Sequence, residues 1–247
     1  MANFKLTVQY DGSRYKGWQR LGKGEATIQG KLEEVLSRMS GSEIEIIGAS
    51  RTDAGVHALK QIANVKLDHH TEAEIKAYVN KYLPQDISVS RVETVPERFH
   101  ARYHVKDKTY LYRIWNEEHP HPFMRKYSMH VEQKLDLPLM RQACQAFLGE
   151  HDFTAFSNAK SKKKSMVRHI YALEMEETAG LVDIRIRGNG FLHNMVRKMV
   201  GLLIEVGLGK KDVNDVTAIL QAKQRYPGLM AEAQGLYLEA ISYKDRT

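Results

Sequence analysis

Apolar and polar residues alternate through Phe4, Leu6, Val8 and Tyr10, the period of a strand with one buried face. The period then changes to that of a helix. Ile28, Leu32, Val35, Leu36 and Met39 recur at helical spacing behind Thr27, whose hydroxyl suits an N-cap. Two strand-like stretches follow, Glu43 to Gly48 and Gln61 to Leu67, joined by Gly48-Ala-Ser-Arg-Thr-Asp-Ala-Gly-Val-His-Ala58. Thr71 caps a helix to about Leu83, and Ile87 to Val92 closes as a strand. The first hundred residues thus read β-α-β-β-α-β.

The same order recurs downstream. Thr109 to Trp115 reads as a strand, and Asp136 caps a helix that ends before Gly149. His169 to Glu176 and Leu181 to Arg187 pair across Ala179-Gly180. Leu192, Met195, Val196, Met199, Val200, Leu203 and Ile204 define a strongly apolar helix; a short helix over Val213 to Ala222 and a strand over Gly235 to Tyr243 complete the chain. The pattern predicts an α+β fold of two diverged β-α-β-β-α-β halves, the split arrangement of ferredoxin-like and RNA-recognition folds. The halves share no residue-level identity. They are expected over 1–104 and 105–247, with their sheets joined into one mostly antiparallel sheet, helices packed on it, and a central cleft onto which the segment holding Asp53 opens.

Composition narrows the setting. A chain of 247 residues can bury a proper core without staples. Its single cysteine, Cys144, lies within the apolar stretch Leu139 to Leu148, where a small buried hydrophobe is expected. The first residues alternate like a strand instead of forming a signal peptide, and no run of about 18 apolar residues occurs, so a cytoplasmic protein without membrane association is expected. The net charge of +7 favours a polyanionic partner. Two basic loops are suited to phosphate: Arg14, Lys16 and Arg20 interleaved with Tyr15 and Trp18, and Lys160, Lys162, Lys163, Lys164 and Arg168.

The candidate reactive group is Asp53, with Arg51 two positions before it and Gly55 two after. A neighbouring guanidinium favours the charged form of a carboxylate, which can then serve as nucleophile or base. A plain tight turn built from Thr52, Asp53 and Gly55 explains the same spacing. Other chemistries fit less well. An aspartic-protease dyad needs two such turns. Gly22-Lys-Gly-Glu-Ala-Thr27 has P-loop letters in the wrong order, and there is no GxGxxG, nucleophile elbow or CxxC. Glu117, His119 and His121 lie among prolines without a cysteine partner, so no metal is expected there.

Six motifs together carry a resemblance. They are Tyr10-Asp-Gly-Ser-Arg-Tyr-Lys-Gly-Trp-Gln-Arg20, Gly48 to Ala58, Phe99-His-Ala-Arg102, Gly149-Glu-His-Asp-Phe153, Gly190-Phe-Leu-His-Asn-Met-Val-Arg197 and Gly235-Leu-Tyr-Leu238. In this order they resemble the tRNA pseudouridine synthase A family, from near residue 4 to near residue 243. Ser50 departs from the glycine that many members carry before the arginine. The resemblance implies an isomerase that converts uridine to pseudouridine at positions 38, 39 and 40 of the tRNA anticodon stem-loop, with no cofactor or metal. It names Asp53 as the catalytic aspartate, attacking ribose C1′ or removing a ribose proton. It further names Tyr110 as the tyrosine that stacks on the base, Arg51 as a holder of the flipped nucleotide and Arg197 as the basic partner of the aspartate. A homodimer contacting one tRNA with both subunits is implied as well. A synthase acting on another structured RNA, or a non-catalytic RNA-binding protein, also accords with the basic charge and split fold.

Overall fold

The computed structural model describes residues 1–22, 24–158 and 165–244. Lys160, Lys162, Lys163 and Lys164 lie outside the described residues. In chain order the elements are β1 (Ala2–Tyr10), α1 (Ile28–Ser40), β2 (Ile47–Gly48), β3 (His57–Leu67), α2 (Glu72–Tyr82), β4 (Ile87–Val95), β5 (Val105–Trp115) and β6 (Met129–His130). They continue with α3 (Leu137–Cys144), β7 (Gly149–Asp152), β8 (Val167–Thr178), β9 (Leu181–Gly188), α4 (Met195–Gly207), α5 (Val213–Ala222) and β10 (Leu236–Tyr243). The fold is mixed α+β, and its strands pair mostly antiparallel.

Two compact units divide the chain: Met1–Lys106 together with Tyr237–Thr247, and Asp107–Leu236. The expected halves, 1–104 and 105–247, are corrected at the C-terminal end. β10 runs parallel to β3, with Tyr237 opposite His57 and Leu238 opposite Ala58, so the last strand belongs to the first unit.

In the first unit β1 lies between β4 and β3, antiparallel to both. The other edge of β3 takes β10 at its start and β2 at Ala63 and Asn64. Phe4, Leu6, Val8 and Tyr10 bury the core face of β1, while Ile28, Leu32, Val35 and Leu36 bury one stripe of α1. Thr27 Oγ1 accepts from Gly30 N at 3.2 Å to start α1. Thr71 and Glu74 form a capping box at α2, with Glu74 Oε2 accepting from Thr71 N at 2.8 Å.

β3 begins at His57, four residues before the expected start. Its residues from Gln61 to Val65 are all buried, so the strand loses the alternation that marks a half-exposed one. β2 is shorter than expected. The residues before it bond to helix side chains instead of a ladder: Ile44 N donates to Ser37 Oγ at 2.8 Å and Ile46 N to Glu33 Oε1 at 3.0 Å.

The second unit is built on β5-β9-β8-β7, antiparallel throughout, with the short β6 parallel to β5. α3 and α5 pack together, and α3 packs on α4. Cys144 is buried in α3, and burial pushes its thiol up to about 12. α4 is buried along most of its length and starts at Met195, later than the expected Leu192, because Asn194 takes a left-handed conformation (φ 64°) that a helix interior excludes.

Gly201 sits where α4 meets the chain around Leu229, and a Cβ there would overlap the Leu229 carbonyl. Ala at this position gains about 1 kcal/mol of helix propensity but must displace a backbone. Gly201→Ala is expected to destabilise the protein by a net ~1–3 kcal/mol, measured as a shift in the denaturant midpoint at constant slope. Gly22→Ala, which meets open space, is expected to stay within about 0.5 kcal/mol.

Candidate active site

Asp53 lies in the segment between β2 and β3, which has no strand ladder of its own from Ser50 to Val56. Other parts of the first unit hold it. Gln61, fully buried on β3, grips Ser50 from both sides: its Oε1 accepts from Ser50 N at 3.2 Å and its Nε2 donates to Ser50 O at 2.7 Å. Ser50 thus engages through its backbone. Thr52 is buried, and its Oγ1 shares a 2.8 Å hydrogen bond with the Tyr10 hydroxyl. Trp18 N donates to Thr52 O at 3.1 Å, and Val56 N closes the turn on Asp53 O at 3.2 Å.

Two glycines allow this contact. Gly17 has φ 96° and lies so close that a Cβ would strike Thr52 O and come within 3.0 Å of Asp53 C. A Cβ on Gly12 would strike the Val56 carbonyl. Beyond the turn, buried His57 accepts from Gly12 N through Nδ1 at 3.1 Å and stacks on Tyr237, ring centroids 4.8 Å apart. Trp18 lies fully buried under Gly48, leaving no room there for a side chain. The tyrosine, glycines and tryptophan of the first basic motif therefore shape the aspartate turn, and Asp53 is left partly exposed at its apex.

The cations around this turn differ in what they touch. Arg51 is exposed and enters no ion pair among the described residues, so its spacing from Asp53 does not yield the expected charge pair. Arg14 Nε donates to Asp86 Oδ2 at 2.9 Å, and the Tyr15 hydroxyl donates to Asp86 Oδ1 at 2.6 Å. Arg20 pairs with Glu33 at 3.2 Å and Glu45 at 3.3 Å. Lys16 is exposed and forms no ion pair among the described residues.

In the second unit Tyr110 is buried on β5, opposite Ile186, with its ring edge-on to Phe191 at a centroid distance of 5.1 Å. Tyr112 and Ile114 share its face and are fully buried. Arg197 is half-buried in the first turn of α4. Its Nε donates to Ala231 O at 2.7 Å, and Ala231 N donates back to Arg197 O at 3.1 Å.

The segment around Ala231 is itself fixed. The Tyr112 hydroxyl donates to Glu232 O at 2.8 Å, Gly235 allows close approach to Tyr112, and Lys198 Nζ reaches Tyr226 O at 3.3 Å. Burial and nearby Arg225 lower the ammonium of Lys198 below its usual value. The bracing roles of Gln61 and Trp18 and the chain from Tyr226 to Gln234 are what pattern reading misses, although it places Gln61 in a strand and Trp18 in the first basic loop. Buried polar Gln61 within an apolar strand is the one local signal among them. A surface recess of about 340 Å³ lined by Glu150, His151, Asp152, Val167, Leu220, Gln221 and Lys223 contains none of the expected site residues.

Comparison with known proteins supplies the wider relation. A family model described as tRNA pseudouridine synthase matches residues 6–104 and 143–244. A tRNA pseudouridine synthase A of Bacillus sp. (strain KSM-64) is 63% identical over 244 residues, covering 98% of this chain and 100% of that protein. A tRNA pseudouridine synthase A 2 of Bacillus cereus (strain ZK / E33L) is 63% identical over 245 residues with the same coverage. A tRNA pseudouridine synthase A of Thermoanaerobacter sp. (strain X514) is 43% identical over 245 residues, again across 98% of this chain and 100% of the relative. The clamped turn at Asp53 and the anchored Arg197 both fall within the matched residues, and the chain belongs to the tRNA pseudouridine synthase A family.

Proposed function

We propose that this protein isomerises uridine to pseudouridine in tRNA, at positions 38, 39 and 40 of the anticodon stem-loop, with Asp53 as the catalytic carboxylate. The observation that carries this reading is the turn at Asp53, clamped by backbone from Gly12 to Trp18 within a full-length match to the family. The reaction breaks the ribose C1′–N1 bond and forms C1′–C5; the C5 proton leaves and N1 gains one. No electron is transferred, so the chemistry requires no redox cofactor.

The uridine must first leave its stack, at a cost of a few kcal/mol. Tyr110 supports the extruded base and Arg51 holds its nucleotide, a role that suits a guanidinium that enters no ion pair among the described residues. Lys16 contacts the RNA backbone directly. Arg14 and Arg20 serve it indirectly, by bracing their loop against Asp86 and Glu33. Lys162, Lys163 and Lys164 add backbone charge. The working form is a homodimer, and the setting is cytoplasmic. Among the described residues no helix is long and apolar enough to cross a membrane.

Incubating the protein with unmodified tRNA transcripts and mapping pseudouridine is expected to place it at positions 38 to 40. Modification confined to ribosomal RNA, or none in either RNA, would overturn the assignment. Arg197 offers a second test, since lysine cannot replace a guanidinium whose Nε is tied to Ala231 O. Arg197→Lys is expected to lower the single-turnover rate at least about tenfold, equivalent to ~1.4 kcal/mol of barrier. Its tRNA affinity is expected to stay within about twofold. Full activity in this variant would remove Arg197 from the reaction.

A further inference from the structure

The segment from Arg98 to Lys106, a loop that runs into the start of β5 and carries the motif Phe99-His-Ala-Arg102, has no part in the chemistry above, yet the first unit builds it with unusual care. Two buried asparagines shape it. Asn3 Nδ2 donates to Phe99 O at 2.9 Å and to Pro96 O at 3.2 Å, and Asn64 Oδ1 accepts from Ala101 N at 2.9 Å. The two are joined, Asn64 Nδ2 donating to Asn3 Oδ1 at 3.1 Å. The Tyr243 hydroxyl donates to Ala101 O at 2.8 Å. Buried amides are costly unless bonded, and these spend their bonds on the backbone of a surface loop.

What the loop presents is an aromatic pair. His100 stacks on Tyr103 with ring centroids 4.1 Å apart, and its Nδ1 accepts from the N–H groups of Arg102 and Tyr103 at 3.2 and 3.3 Å. The pair is therefore fixed, although Tyr103 is 76% exposed. Arg98, Arg102 and Lys106 lie within three residues of it along the chain, all exposed, and none enters an ion pair among the described residues. The acid just before the loop, Glu97, is paired with Lys66 at 3.6 Å.

The loop is also joined to the aspartate turn. Arg102 Nε donates to Gly48 O at 3.4 Å, and Ala101 shares a buried cluster with Ala49 and Ile62. A rigid exposed ring, with neighbouring cations in sequence that enter no ion pair among the described residues, has little to offer its own fold and much to offer a nucleic acid, in which each base has a π-face and each link a phosphate.

We propose that residues 98–106 form an RNA-binding platform, in which Tyr103 stacks on a nucleobase of the substrate outside the reacting uridine while Arg98 and Lys106 contact backbone phosphates. This rests on the RNA substrate proposed above. Because the platform shares a core with the aspartate turn, a base seated on Tyr103 sets the register of the strand relative to Asp53.

The test uses a synthetic anticodon stem-loop RNA and the full chain. Tyr103→Ala is expected to weaken binding at least about fivefold, equivalent to ~1 kcal/mol, whereas Tyr103→Phe keeps the stack and stays within about twofold. Replacing Arg98 and Lys106 together by alanine is expected to lower the slope of log affinity against log salt by about 0.7–0.9 for each phosphate that is no longer neutralised. A Tyr103→Trp variant is expected to lose fluorescence as the RNA saturates. Unchanged affinity in Tyr103→Ala with unquenched fluorescence in Tyr103→Trp would overturn the platform. These outcomes are separable from those of the catalytic reading: wild-type protein that binds the stem-loop through Tyr103 but forms no pseudouridine overturns the reaction and leaves the platform standing.

Discussion

The turn that carries Asp53 is shaped by the close approach of another stretch of backbone. The peptide from Gly12 to Trp18 lies against Thr52, Asp53 and Val56 with no space for a side chain at Gly12 or Gly17. A segment without a ladder would otherwise sample many conformations, since ordering each residue costs roughly 1–2 kcal/mol. Here the cost is met by hydrogen bonds of Trp18, Tyr10 and Gln61, all buried, which hold Ser50 and Thr52 just before Asp53, and by the bond from Gly55 N to Tyr15 O just after it. The carboxylate is preorganised without being buried. The catalytic role proposed for Asp53 needs this combination, because the group must meet a large polyanion from solvent and still hold its position.

The second unit applies the same logic to Arg197. Its peptide and its Nε both bond to Ala231, and that segment is tied in turn to Tyr112 on β5 and to Lys198 on α4. Gly201, one helical turn further along, keeps the chain close enough for these bonds to form. A flexible side chain thereby acquires a defined direction. Tyr110 is held more simply, by strand pairing and by the edge of Phe191.

Much of this was legible in the sequence. The helices announced themselves through Thr27, Thr71 and Asp136 as caps and through apolar stripes whose period survives in the structure. Strands with one exposed face, such as β1, were equally plain. Legibility failed where burial is two-sided or bonding is non-local. His57 and Gln61 are polar residues in a strand interior, and their roles depend on Gly12, Tyr237 and Ser50, partners that no local window contains. The ion pairs of Arg14 and Arg20 likewise join residues far apart in the chain, so a cluster of cations read as an RNA contact was in part a brace. Asp53 itself stood out only because its motif recurred with five others. Its spacing alone also suits an ordinary turn.

If the clamp exists to present one carboxylate to a ribose, removing the charge while keeping the shape must stop the reaction. Forming the C1′–C5 bond releases the hydrogen of C5, so a tRNA transcript labelled with tritium at C5 of uridine reports each turnover directly. Asp53→Asn preserves the size of the side chain and, through the bonds to Ser50 and Thr52, the turn around it. The account predicts steady tritium release by the wild-type protein, and release at background by Asp53→Asn with tRNA binding retained, since phosphate contacts supply most of the affinity. Release by Asp53→Asn at the wild-type rate would contradict it.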